Sequence, residues 1–280
     1  MDFTYEFHHE GFFGYSIEKS FHYFSFWHFL PIIVLIAAVY LTYRYRDKIA
    51  SWKGEETFRY VIAAILILNE AFYYWRLLYV GNADNGKQLL SKLPLQVCEW
   101  MGYISAFMLM KKSRNLFDIC FYICLTLGLI PLFTPTVINH TGPMYARYYQ
   151  FWIEHIVPIF AVFYMIFVHG MKPDYRKVWK PFALLAFIAV FAIIANINIP
   201  YANFMYLQAK TEGDSIANIL PENIWIRLVL FTGILIVLFA LLSLPQIIKE
   251  IKARKAATAN PNGSADACCD GEDATEEKAE

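Results

Sequence analysis

Charge is scarce in this 280-residue sequence: Asp, Glu, Lys and Arg make up 17% of it, against about a quarter in ordinary soluble domains. The charge present is balanced, with 24 basic and 24 acidic side chains, so no whole-chain attraction to nucleic acid is available. Cysteine is also rare. Cys98, Cys120 and Cys124 lie in apolar runs, and Cys268 and Cys269 in a polar C-terminal stretch. That distribution excludes an extracellular disulfide framework. Cys120 and Cys124 read as small apolar helix residues, and Cys268–Cys269 as reduced thiols on a solvated tail, with lipidation or metal binding the other uses open to that pair. The opening 24 residues have no basic n-region, so no secretory leader is expected. No HExxH, Gly-rich phosphate loop or CxxC pair occurs, which removes support for zinc hydrolysis and nucleotide-driven transport. No metal and no cofactor is expected. The two halves do not suggest inverted, broken-helix repeats, which weighs against a secondary transporter.

Apolar residues, by contrast, are abundant. They reach 58%, aromatics 18%, and the mean hydropathy is +0.39, an excess that points to lipid contact rather than to a large soluble core. Continuous apolar runs near 25–43, 58–80, 93–110, 116–134, 151–169, 178–200 and 224–248 match the roughly 20 residues a helix needs to cross a bilayer. Because the runs are continuous and not alternating, a closed barrel is excluded. The expected fold is all-α: a polytopic membrane protein of seven transmembrane helices. Basic residues concentrate on one side, in the stretches Arg44–Lys53 with Arg59, Lys111–Arg114, Lys172–Lys180 and Lys249–Lys255. The other side has only Lys19, Lys87, Lys92, Arg147 and Lys210. Excess basic charge marks the cytoplasm, so the N-terminus is expected outside and the C-terminus inside. The expected organisation is an extracytoplasmic segment 1–24, a helical domain 25–250, and a disordered cytoplasmic tail 251–280.

Ionisable groups in lipid cost several kcal/mol unless paired or facing a cavity, so their depths are informative. With this orientation Glu70 on the second helix falls near the midplane, and His28 on the first helix, Arg76 on the second, and Cys98 and Glu99 on the third fall in the outer half of the bilayer. Glu154 and His155 on the fifth, and Asn196, Asn198 and Asn203 around the end of the sixth, reach the same level. An outward-opening polar pocket walled by apolar helices follows. Cys98 and His155 are its chemically capable pair, since an imidazole can take a thiol proton and create the nucleophile. Glu70, Glu99 or Glu154 can orient the imidazole, and Arg76 can compensate a carboxylate or hold a lipid phosphate. Each also has a structural use: His28 in an interfacial aromatic belt with Phe24, Phe26 and Trp27, Glu70 in pairing with Arg76 or His28, and Cys98 and His155 in packing and hydrogen bonding.

Five segments carry a resemblance that spans roughly residues 21–250. They are Phe26-Trp27-His28; Leu68-Asn69-Glu70 with Trp75; Leu93-Pro94-Leu95-Gln96-Val97-Cys98; and Phe151 through His155, followed by Asn203-Phe204-Met205-Tyr206-Leu207. In these the chain resembles the YwaF-like bacterial integral membrane proteins, related to the animal transmembrane-protein-164 family. Animal members are regarded as acyltransferases that move fatty acyl chains between glycerolipids with a cysteine and a histidine. The resemblance places those roles on Cys98 and His155, and the protein in the bacterial cell membrane. This chain has Gln96 where bacterial relatives often have His.

The expected chemistry is a Cys98 thioester, with His155 as general base and acid. Phospholipid and lysolipid are the partners and nucleic acid is not. Asn196, Asn203 or Tyr206 would serve as oxyanion donors. Pro94 is expected in the first turn of its helix, with Cys98 one turn deeper and Gly102 leaving room beside it. A hydrolase using the same dyad with water, and a transporter or receptor binding through Glu70 and Arg76, remain open.

Overall fold

A computed structural model of the chain describes residues 11–16, 18–80, 93–135, 138–200, 202–208, 210 and 216–259. Among them all regular structure is helical. The helices are α1 Phe26–Ala50, α2 Glu55–Val80, α3 Val97–Lys111, α4 Arg114–Cys124, α5 Ile130–Phe133, α6 Ala146–Phe167, α7 Trp179–Asn198 and α8 Ile224–Ala259, with short 3-10 turns between some of them. Cys268, Cys269, Lys87, Lys92 and the chain from 260 onward lie outside the described residues.

Among the described residues five helices are long and apolar enough to cross a membrane: α1, α2, α6, α7 with the turn before it, and α8. A sixth crossing is available if α4 and Leu127–Phe133 count together, as two pieces bent by 49° at a short break. This is an integral membrane protein. All seven expected runs contain helix, but the third and fourth are not simple spans. The α3 helix has 15 residues, about 22 Å at 1.5 Å per residue, short of the roughly 30 Å hydrocarbon core. The fourth run breaks where Thr126 leaves helical geometry and turns its hydroxyl onto the Tyr122 carbonyl, 2.7 Å away. Pro131 then opens α5 at a position where its missing N–H does no harm. The last helix continues to Ala259, past the expected start of the tail at 251.

Burial distinguishes the helices. In the apolar windows of α1 and α8 only 17% of residues are buried, against 61% in α6. Ile33, Val34 and Ile36 on α1 and Val229, Ile236 and Val237 on α8 remain exposed, as lipid-facing residues do. By contrast α6 packs against α1, α2, α3 and α4 and forms the axis of the bundle.

One end of this bundle is held by a single carboxylate. Glu55, at the start of α2, accepts from Arg59 Nε at 2.8 Å, Tyr164 Oη at 2.9 Å and His169 Nε2 at 2.8 Å. Arg59 also donates to the Leu109 carbonyl at the end of α3. Arg59, read from sequence as a surface cation, is only 1% exposed: a buried guanidinium requires such partners. His169 lies beyond the end of α6, and burial pulls its imidazole below the ordinary value, against the opposing pull of Glu55. Tyr122 on α4 and Ser243 on α8 meet at 2.8 Å. The bonds of Glu55 and Arg59 thus join α2, α3 and α6 at the end opposite Cys98, and the Tyr122–Ser243 bond joins α4 to α8.

Candidate functional site

Cys98 stands in the first turn of α3, one residue after Val97. The helix starts later than expected, and Pro94 lies outside it. Gln96 is the N-cap, in an extended conformation, and its N–H donates to the Glu99 carboxylate at 3.1 Å, the return bond of a capping box. The reciprocal contact between Gln96 and Glu99 sets the helix start beyond Pro94. The Pro94 carbonyl instead accepts from Trp100 Nε1 at 2.8 Å. Cys98 is therefore not a turn deep in the helix. It sits where backbone N–H groups lack intrahelical acceptors and the positive end of the helix dipole emerges.

His155 and Glu154 come from α6, held by their own helix. His155 Nδ1 donates to the Phe151 carbonyl at 2.8 Å, which leaves Nε2 with the lone pair; the Phe151 ring lies 4.3 Å from the imidazole. The group that orients His155 is thus a backbone carbonyl rather than one of the candidate carboxylates. Glu154 is fastened through Oε2, which accepts from Gln150 Nε2 at 3.0 Å and pairs with Arg147 Nη1 at 3.4 Å. Sequence reading had placed Arg147 in a loop. The structure turns it inward, with its guanidinium 4.6 Å from the Tyr73 ring centroid. The signal was present in the spacing: 147, 150 and 154 share a face once the helix starts at Ala146.

The Cys98 sulfur, a Glu154 carboxylate oxygen and a His155 ring nitrogen all lie within 4.8 Å of one another. Cys98 is half-buried, while Glu154 and His155 are buried. Around them stand Glu99 and Glu70, both buried. Among the described residues neither Glu70 oxygen has a hydrogen-bond partner, and Glu70 interacts electrostatically with Glu154, Glu99 and Arg147. Gly102 makes space for Glu70, not for Cys98: a Cβ there would lie 3.3 Å from Glu70 Oε1. Asn69 on α2 reaches across to the Gln150 carbonyl at 3.1 Å.

The remaining candidates are placed as follows. Arg76 donates to the Gly14 carbonyl at 2.8 Å, and among the described residues the ion pair to a carboxylate at this end belongs to Arg147. His28 has both ring nitrogens occupied, by the Phe24 N–H at 3.0 Å and the Leu132 carbonyl at 2.8 Å. Asn196 uses its amide on the backbone of Phe204, accepting at 2.7 Å and donating at 3.1 Å. Asn203 Oδ1 accepts from the Gln208 N–H at 3.1 Å, and Asn198 turns back on the Ile194 carbonyl at 2.7 Å. Asn196 spends its amide N–H on the Phe204 carbonyl rather than on an oxyanion at Cys98.

That loop is tied to the site. Met205 and Tyr206 both adopt left-handed backbone, with φ of 54° and 52°, uncommon without glycine. Gln96 Oε1 accepts from the Met205 N–H at 2.9 Å, so the residue that caps α3 also holds the loop. Tyr206 interacts electrostatically with Cys98, and burial pushes its hydroxyl well above the usual phenol range, so it remains a neutral O–H donor.

No curated protein and no solved structure matches the chain. The TMEM164 family does, over residues 23–243, a stretch that contains α1 through α7, the cluster around Cys98 and most of α8. By that match the chain belongs to the TMEM164 family.

Proposed function

We propose that the protein is an integral membrane acyltransferase that moves a fatty acyl chain between glycerolipids through a thioester on Cys98. The observation that carries the reading is the meeting of the Cys98 sulfur with Glu154 and His155 within 4.8 Å, at one end of the bundle. His155 Nε2 takes the thiol proton as sulfur attacks the ester carbonyl of a phospholipid. The ester C–O bond breaks and the lysolipid leaves with the proton from His155. A lysolipid hydroxyl then gives its proton to His155 and attacks the thioester. The C–S bond breaks and the thiol is restored.

The Phe151 carbonyl holds His155 in the tautomer this sequence needs. Oxyanion stabilisation falls to the N–H groups of the first turn of α3, joined by the Tyr206 hydroxyl. Low water content in the bilayer favours transfer over hydrolysis. In this reading α3 is the third of seven crossings, shortened because its outer end unwinds at Leu93–Gln96 to present Cys98. The N-terminus is outside, the C-terminus is cytoplasmic, and the membrane is the cell membrane.

The test is purified protein in micelles with phospholipid bearing a labelled acyl chain, followed by peptide mass spectrometry. A hydroxylamine-labile acyl adduct on Cys98, absent in Cys98→Ser and His155→Ala, is expected. Absence of any adduct, with lipid binding unaffected by Cys98→Ser, would overturn the enzyme reading in favour of a transporter or receptor. Release of free fatty acid without transfer would make the protein a hydrolase.

A further inference from the structure

We propose that Cys98, Glu154 and His155 form a binding site for a divalent ion of the zinc class, and that its occupancy switches the nucleophile off. The site stands on geometry; only its inhibitory consequence rests on the acyltransfer reading above.

The donor set comes first. One sulfur, one carboxylate oxygen and one imidazole nitrogen lie within 4.8 Å of one another. Tetrahedral zinc has bonds of about 2.0–2.3 Å, which puts ligand atoms about 3.3–3.8 Å apart. Side-chain movements of about 1 Å close the difference. A thiolate among the donors disfavours magnesium and calcium, which take oxygen ligands, and suits zinc or its neighbours.

The groups behind the donors carry the argument further. A metal-bound histidine nearly always donates its second ring N–H to a carbonyl or carboxylate, and a ligating carboxylate is itself hydrogen-bonded. His155 Nδ1 donates to the Phe151 carbonyl at 2.8 Å, leaving Nε2 to ligate. Gln150 and Arg147 both act on Glu154 Oε2, and the Cys98 thiol bonds to the same carboxylate, the contact that an ion between the two would replace. The outer shell is thus already assembled for both buried ligands.

An independent observation points to a missing cation. Glu70 is 1% exposed and among the described residues both its oxygens lack partners, a costly state for a buried polar group. Its electrostatic neighbours include Glu154 and Glu99, and Arg147 is the cation among them. A divalent ion at the triad would offset this accumulation of acid groups, with water in the fourth position. Half-buried Cys98 provides the entry. On binding, zinc replaces the thiol proton, which leaves to solvent, and takes both the sulfur and the Nε2 lone pair. Nucleophile and base are then lost together.

The test uses full-length protein in detergent, with both tail thiols changed (Cys268→Ser, Cys269→Ser) to remove a competing site. After chelator treatment, zinc is titrated against a chromophoric competitor, and cobalt(II) is added separately as a spectroscopic probe. One equivalent of zinc is expected, together with a near-ultraviolet sulfur-to-cobalt band. Cys98→Ser should abolish that band, and Cys98→Ser, Glu154→Gln and His155→Ala should each weaken zinc binding by about tenfold or more. Cys98→Ser exchanges one atom and so guards against misfolding as the explanation. Zinc affinity unchanged in Cys98→Ser and His155→Ala, or a cobalt spectrum without thiolate character, would overturn the site. Because these readouts need no lipid, their failure is separable from failure to find the acyl adduct. Stoichiometric zinc that left adduct formation undiminished would overturn the inhibitory role.

Discussion

Arg147 and Glu154 form an ion pair of 3.4 Å from positions seven residues apart on α6. Seven residues is about two turns, so both side chains leave the helix on one face. With Gln150 between them, the carboxylate is fixed by its own helix. What it then faces, the sulfur on α3, depends on how α3 packs against α6. The ion pair therefore sets the position of one side of the site from within a single helix.

Arg147→Met should leave Glu154 buried without its cation. Breaking a buried pair from one side costs about 3–5 kcal/mol, so a lower Tm in detergent is expected, along with slower formation of the Cys98 adduct. Arg147→Lys keeps the charge and should recover part of both. Equal loss in Met and Lys variants would mean that guanidinium shape, including its place over Tyr73, matters more than charge.

Gly102→Ala tests the contact between α2 and α3. The added Cβ would lie 3.3 Å from Glu70 Oε1 and 3.5 Å from its Cγ, so Glu70 must give way, at a cost of about 1–3 kcal/mol for overpacking. Paired with Glu70→Ala, the new methyl group enters the vacated space. The double variant should be more stable than the two single losses added together. Strict additivity in thermal melts would contradict the packing described.

Asn196→Ala should loosen the loop at Phe204, because two buried backbone groups lose their partners, at about 1–3 kcal/mol for each group left unsatisfied. Limited proteolysis between Asn203 and Gln208 should accelerate and Tm should fall. A variant of unchanged Tm with a reduced rate of thioester formation would restore Asn196 as an oxyanion donor.

His169 gives a pH prediction at the opposite end. Burial holds its imidazole below the ordinary 6.5 in the folded protein, so on acidification the unfolded chain takes up a proton first. Stability should be fully present above about 6.5 and decline as the pH falls through the folded value. His169→Gln should flatten that decline, measured as Tm across the acid range. An unaltered slope would show that other groups set it.

Much of the architecture could be read from local pattern. The apolar runs that became α1, α2, α6, α7 and α8 are continuous, and crossing a bilayer as helix requires only length and hydropathy. The gathering of Glu70, Cys98, Glu99, Glu154 and His155 at one end was also legible, since depth along a helix follows from residue count. The start of α3 was misread because a capping arrangement through Gln96 and Glu99 competed with the proline-first pattern, and capping won. Arg147 was missed because α6 was expected to begin at 151.

The sequence by itself determined that this is a helical membrane protein with its acidic groups, its thiol and its imidazole at a common level. Tertiary structure alone decided which of them meet. Rotation of a helix about its axis and the choice of hydrogen-bond partner are non-local, set by packing between segments far apart in the chain. So Asn196 and His28, which share the depth of the site, are bound to backbone instead. Arg76, equally a candidate cation, is turned to Gly14, while Arg147 holds Glu154. No spacing motif announces a donor set of Cys98, Glu154 and His155, because its two halves come from helices that only the folded bundle brings face to face.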